Sequence, residues 1–368
     1  MASDVILVIV VITALAFDFT NGFHDTANVV ATSISTRAMP PRVAVGFAAI
    51  LNFVGAFLSL KVAATIATDI VDSGAITQTV VFAGLIGAIA WNLATWYFGL
   101  PSSSSHALIG GLVGAAFAAQ GAAAINGEGL LGKVVLPALM APPLAFVVAG
   151  VGIVIVYALV GRQKPGPVNR SYRHGQVLSS GLLALSHGTN DAQKTMGIIS
   201  LALVAHGSIN PDHFHVPDWV VVSSATAIAL GTYTGGWRII RTMGSRIIKM
   251  DPAQGFAAQG AGASVILAAS HAGYPLSTTH VISGAVMGAG AAKRFSAVRW
   301  GVAGNIAMAW VLTIPAAAII GGVVYGVISV FGASSAIGPV VVSIVIVAGS
   351  AALFLKRAQG GGGLEATA

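Results

Sequence analysis

Residues 22–28 read Gly-Phe-His-Asp-Thr-Ala-Asn, and residues 188–194 read Gly-Thr-Asn-Asp-Ala-Gln-Lys. The two stretches are related copies, 166 positions apart. A second motif also occurs twice. Pro101 to His106 (PSSSSH) is followed by Gly110 and Gly114, and Pro275 to His280 (PLSTTH) by Gly284 and Gly288, at an offset of 174. Two motifs repeated in the same order at nearly one offset define two homologous halves.

Working outward, the motifs are embedded in apolar sequence. Stretches long enough to cross a bilayer, about 20 residues each, fall at roughly 5–34, 43–66, 79–100, 107–125, 133–160, 176–205, 219–237, 253–270, 276–292, 301–331 and 338–355. The expected fold is an all-α polytopic membrane protein of about 10–12 membrane segments, some of them re-entrant or broken helices. The organisation expected is an N-terminal repeat over 1–161, a basic cytoplasmic loop over 162–175, a C-terminal repeat over 176–357 and a disordered tail over 358–368. The first apolar stretch has no basic leader and no small-residue cleavage site, so it reads as a helix of the mature protein.

Charge is scarce: 8% of the 368 residues are Asp, Glu, Lys or Arg, and 56% are hydrophobic. A soluble domain carries about 25% charged residues. The composition therefore excludes a soluble enzyme, a nucleic-acid binder and a disordered chain, and the absence of cysteine excludes disulfides and thiolate chemistry. Basic clusters (Arg37 and Arg42; Arg162 to Arg173; Arg238 to Lys249; Lys293 to Arg299; Lys356 and Arg357) alternate with gaps holding Asp4, Asp69 with Asp72, Glu128, and Asp212 with Asp218. The positive-inside rule places the basic gaps in the cytoplasm, the N-terminus outside and the C-terminus inside the plasma membrane. Lys61 reads as a side chain snorkelling to the outer interface.

An odd number of crossings separates each motif from its copy, so the halves are expected to be upside-down relative to each other. Such inverted repeats build secondary transporters, with the binding site near the midplane. Asp25 lies about 18 Å along a helix from Arg37, and Asp191 about 26 Å from His174. Both fall within the hydrocarbon slab, where a carboxylate needs a cation, a proton or water. They are the expected coupling-cation carboxylates, with His24, Asn28, Asn190 and Lys194 beside them. Asp25 and Asp191 are also candidate metal ligands. Asp18 reads as lining an outer entrance or capping a break in the first helix. Proline opens a helix well and hydroxyls cap it. Two such helix starts at membrane depth make a site for a compact oxyanion. Ser103, Ser104, Ser105, Ser277, Thr278 and Thr279 are therefore the expected anion-binding residues, joined by Asn28 and Lys194. A hydrolase is disfavoured, because no Gly-x-Ser-x-Gly elbow occurs and the polar motifs are duplicated.

These motifs resemble the inorganic phosphate transporter (PiT) family, which carries a GANDxAN-like signature and a P-x-S-x-[ST]-H hairpin in each half. The resemblance runs over nearly the whole chain and includes Thr36-Arg37-Ala38 and Gly235-Gly236-Trp237-Arg238. It implies cation-coupled import of inorganic phosphate by alternating access, with no tightly bound cofactor, hydroxyl hairpins lining the phosphate site, and a homodimer in the lipid bilayer. His24 and Lys194 replace family amides with titratable groups. The co-transported cation is expected to be H+ or Na+, and these two residues, with the GFHD and NDAQK pattern of a bacterial low-affinity branch, favour H+. Mg2+ travelling with phosphate is a further expectation at Asp25 and Asp191. The alternative substrate is another tetrahedral oxyanion, such as sulfate.

Overall fold

A computed structural model of the chain describes residues 2–70, 76–210, 213–333 and 335–359. Asp72, Asp212 and the tail from Gly360 lie outside the described residues, as do the side chains of Lys356 and Arg357. Among the described residues the regular elements are helices. The first half holds α1 (Ala2–Ser35), α2 (Pro41–Gly55), α3 (Lys61–Thr68), α4 (Gln78–Phe98), α5 (Ser104–Gln120) and the single turn α6 (Gly127–Gly129). The last of these passes through a π-helical turn, Leu130–Val135, into α7 (Leu136–Val160). The second half holds α8 (Pro165–His206), α9 (Asp218–Thr234), α10 (Trp237–Arg241), α11 (Pro252–His271), α12 (Thr278–Lys293), α13 (Trp300–Ser329) and α14 (Ile337–Gln359).

Local signals set the ends. The Thr77 hydroxyl accepts from the Val80 amide at the start of α4, and Gly99, at φ 66°, ends it in the left-handed conformation. Asp251 and Gln254 close a reciprocal capping box over the first turn of α11, with Pro252 at its first position.

Each expected apolar span contains a helix, but two expectations change. The 43–66 span is two helices, α2 and α3, separated at Ala56–Leu60. The stretch expected as a cytoplasmic loop, 162–175, is helical from Pro165 onward, because α8 extends well beyond its apolar part. Among the described residues, five segments are by themselves long and apolar enough to cross a membrane: Ala2–Ser35, Gln78–Phe98, Ser104–Ala124, Gly127–Val160 and Trp300–Ser329. Helix α8 falls short because it turns polar side chains toward protein rather than lipid, and α12 because it is only 16 residues long.

Two helical hairpins organise the interior. At the open end of α4–α5, Ser3 of α1 donates to Gln78 at 3.5 Å, and Thr79 donates to the Ala333 carbonyl beyond α13 at 2.8 Å. Its tip, residues 99–103, reaches the buried interior, where Thr95 of α4 and Ser102 meet His24 of α1. At the open end of α11–α12, Asp251 bonds Lys293 and Tyr157 at the far end of α7. Helix α1 relates the two: its Ser3 lies at the open end of the first hairpin, while its Ser33, near its other end, accepts from Gln259, two turns into α11, at 2.8 Å, so the hairpins enter from opposite ends. Their tips meet: the Ser105 hydroxyl donates to the Leu276 carbonyl at 3.3 Å, and the His106 and His280 rings stand edge to face at 4.7 Å. The expected single crossings at 79–100, 107–125, 253–270 and 276–292 are the four arms of these hairpins.

Packing follows the repeat. Helix α5 lies on α13 while its counterpart α12 lies on α7, and α1 packs on α9 while α8 packs on α2 and α3. Each element thus packs against the other half's equivalent of its counterpart's neighbour.

Candidate functional site

The middle turns of α1 and α8 carry the two related motifs into the space around the hairpin tips. Asp25 is 2% exposed and Asp191 is fully buried. The Thr278 hydroxyl, in the first turn of α12, lies 3.4 Å from Asp25 Oδ2 and 3.2 Å from Asp191 Oδ2. One hydroxyl, with one proton to donate, thus bridges two acids from different halves.

Asp25 is held on every side. His24 Nδ1 sits 2.7 Å from its Oδ1 and the Ser104 hydroxyl donates to its Oδ2 at 2.7 Å. The Thr279 hydroxyl reaches Oδ1 at 3.4 Å and in turn accepts from Asn28 Nδ2 at 2.8 Å. His24 is anchored by Thr95, which also accepts from the Ser102 hydroxyl at 2.8 Å.

Asp191 lies between two basic groups on its own helix. Lys194 forms an ion pair with it, and His187 Nε2 lies 3.0 Å from its Oδ2. The Lys194 ammonium uses all three donors: one to Asp191, one to the Ser105 hydroxyl and one, at 2.9 Å, to the Leu276 carbonyl. That cation therefore ties the acid of one half to the hairpin tips of both. His187 is oriented by Asn52, which donates to Thr232 at 2.8 Å.

The expected residues thus divide by task. Asp25, Asp191, His24, Asn28, Lys194, Ser104, Ser105, Thr278 and Thr279 converge on one buried cluster. Ser103 and Ser277 stand one step back, where their hydroxyls accept from the His106 and His280 amides as helix caps. Asn190 points to the second hairpin, donating to Ser270 at 2.8 Å and to the Tyr274 carbonyl. Sequence reasoning missed His187, Asn52 and Thr95. His187 did leave a signal, since its i,i+4 spacing from Asp191 puts both on one helix face.

The arrangement has room for cations and for an anion. One ligand atom each from Asp25, His187 and Asp191 lie within 4.8 Å of one another. Around them stand four side-chain hydroxyls, an ammonium and the N-terminal turns of α5 and α12, groups that bind oxyanions. Two segments, residues 21–171 and 162–321, each match the model of the phosphate transporter family. The chain belongs to the phosphate transporter family. A relative from Mycobacterium leprae, named "Probable low-affinity inorganic phosphate transporter", is 51% identical over 351 residues, 95% of this chain and 84% of that one. Relatives with the same name from Rhizobium meliloti (52% identical; 87% of this chain, 96% of that one) and Bacillus subtilis (45%; 88% and 98%) also match. A solved structure described as "The sodium-dependent phosphate transporter" matches with a TM-score of 0.82 at 25% identity, covering 88% of this chain and 99% of that one. The chain is a multi-pass membrane transporter and not an enzyme.

The transporter's first helix corrects one expectation. It is continuous from Ala2 to Ser35, so Asp18 caps no break, and its fully buried side chain lines no open entrance.

Proposed function

We propose that the protein imports inorganic phosphate across the plasma membrane by proton-coupled alternating access, between two inverted repeats whose N-terminus lies outside and C-terminus inside. One observation carries this reading: two buried carboxylates, one from each half, share the Thr278 hydroxyl where the two hairpin tips meet. Hairpins entering from opposite ends are what inverted repeats would build.

Chemically, the hydroxyls that now serve Asp25 and Asp191 are the ones a phosphate would need. Protonation of a carboxyl releases Ser104, Thr278 and Thr279 to donate to phosphate oxygens, and lets the carboxyl donate as well. Lys194 supplies the fixed positive charge. Coupling is needed because moving HPO₄²⁻ inward against about 100 mV, inside negative, costs roughly 4.6 kcal/mol. Two protons carried with it cancel that electrical term. A protonated phosphate can donate a hydrogen bond to Asp25 or Asp191, and sulfate cannot, which favours phosphate over sulfate.

A second reading, entry of phosphate as a complex with Mg²⁺, is favoured by the Asp25, His187 and Asp191 ligand atoms. In that case the divalent ion is cargo and displaces Lys194 from Asp191. Uptake of labelled phosphate into proteoliposomes, with proton, sodium and magnesium gradients imposed separately, tests both. A pH gradient alone should drive accumulation, and excess sulfate should leave it unchanged. Uptake driven by sodium and indifferent to pH overturns proton coupling, and an absolute requirement for Mg²⁺ selects the second reading. We also propose a homodimer, to be measured as the mass of the detergent-solubilised protein.

A further inference from the structure

Two turns before Asp25 on α1, a second acid lies buried without an ion-pair partner. Asp18 is 0% exposed, and no well-aligned hydrogen bond reaches either carboxylate oxygen. The side chains within hydrogen-bonding reach of it are Asn21 on α1 and Thr195 on α8. Both are fully buried, and neither makes a well-aligned hydrogen bond elsewhere. Asn92 of α4 extends this layer. Helices α1 and α4 run parallel, since Ser3 meets Gln78 near their starts and His24 meets Thr95 further along. Asn21 and Asn92 each lie three residues before the latter pair, one turn back on both helices. Asn92 is likewise fully buried with both amide atoms unpartnered.

A buried acid whose nearest donors are poorly aligned, with a fully unpartnered asparagine in the same layer, calls for an occupant, because an unsatisfied buried polar group is costly and an uncompensated charge more so. The charged groups around Asp18 are those of the substrate site: Asp191 and Lys194 on α8, with His24 and Asp25 further along its own helix. Helix α4 from Gln78 to Trp96 and helix α9 from Trp219 to Thr232 contribute no titratable side chain. Lys194 is already committed to Asp191, Ser105 and Leu276, so among the described residues no cation is left to pair with Asp18.

We propose that Asp18, with Asn21, Asn92 and Thr195, forms a proton-binding site distinct from the phosphate cluster, on its outer side. The proton it binds is one of those transported with phosphate. A proton neutralises the carboxylate without requiring five or six oxygens to converge on a metal ion, and the resulting carboxyl needs the amide acceptors that the two asparagines offer. The site's position, within electrostatic range of Asp191 and Lys194, lets its charge state bias the cluster that holds phosphate. This inference rests on the phosphate reading above, and its test separates the two.

The experiment compares wild type, Asp18→Asn and Asp18→Glu in proteoliposomes. Two assays are run: exchange of labelled phosphate between equal pools, and net uptake driven by a pH gradient with protons counted per phosphate. Asparagine mimics the protonated acid, so Asp18→Asn should exchange phosphate within about twofold of wild type yet lose pH-driven uptake by about tenfold or more. Asp18→Glu should retain both. Wild-type pH-driven uptake and proton count in Asp18→Asn overturn the inference, as does a loss confined to sodium-driven uptake. Wild-type protein that exchanges no phosphate would defeat the phosphate reading instead. Infrared spectroscopy then still decides the proton site: a protonated-carboxyl band present in wild type and absent in Asp18→Asn supports it, and an identical spectrum overturns it. If Asp18→Asn does not fold, Asn92→Ala is measured. It should shift the pH of half-maximal uptake by about 0.5–1 unit while retaining exchange, and an unshifted midpoint overturns the inference.

Discussion

Lys194 is the residue on which the buried cluster turns, because its ammonium compensates Asp191 and holds both hairpin tips through Ser105 and Leu276. Breaking a buried pair from one side leaves an unpaired charge and costs about 3–5 kcal/mol, whereas removing both charges costs far less. Lys194→Met should therefore lower the melting temperature sharply, and adding Asp191→Asn should restore most of the loss in a thermal-shift assay. A double variant no more stable than Lys194→Met would contradict the pairing. Thr278→Val keeps the shape but removes the hydroxyl shared by the two acids. It should weaken phosphate uptake by about 10-fold to 100-fold, the worth of one or two buried hydrogen bonds to charged groups, and initial-rate measurements check it. At this scale the sequence disclosed the residues that recur, since a carboxylate repeated at membrane depth declares itself. His187 has no histidine counterpart in the first half, where Asn21 stands at the equivalent position, so no repeat flagged it. Asn52 and Thr95 are single polar residues in apolar helices and become meaningful only when neighbouring helices bring them to a histidine.

Among the elements, the pairs α5–α13 and α12–α7 depend on glycine at matched places. A Cβ on Gly114 would lie 2.0 Å from the Ala318 carbonyl oxygen, and a Cβ on Gly288 would lie 2.0 Å from the Phe146 carbonyl oxygen. Backbone cannot yield as a side-chain tip does, so Gly114→Ala and Gly288→Ala should each push a hairpin arm off its neighbour. Each is expected to destabilise by about 1–3 kcal/mol, read as a lowered melting temperature, and a variant as stable as wild type would show that the arms are free to separate. The hairpins themselves were only half legible. Their positions follow from Pro101 and Pro275 with the hydroxyls behind them, but hydropathy measures the length of an apolar run and not the depth it reaches. Helix α8 was misjudged for the opposite reason: a helix that leaves the membrane becomes polar and basic while its backbone continues unbroken.

For the whole molecule, hairpins that open at opposite ends predict opposite accessibility. The native chain has no cysteine, so single cysteines report cleanly. Ala122 and Ser296 are exposed beyond the open ends of the first and second hairpins. Ala122→Cys should react with a membrane-impermeant thiol reagent added outside intact cells, and Ser296→Cys only after the membrane is opened. The same side for both would refute the inverted arrangement. That two halves exist was readable from the duplicated motifs. That they exchange packing partners was not, because it depends on three-dimensional contacts between segments far apart in the chain. The central claim is that one buried acid from each half acts on the same transported phosphate. Its most direct test is pH-driven uptake of labelled phosphate by folded Asp25→Asn and Asp191→Asn proteins in proteoliposomes. Both should fall by about 100-fold or more, and wild-type uptake by either variant would contradict the account.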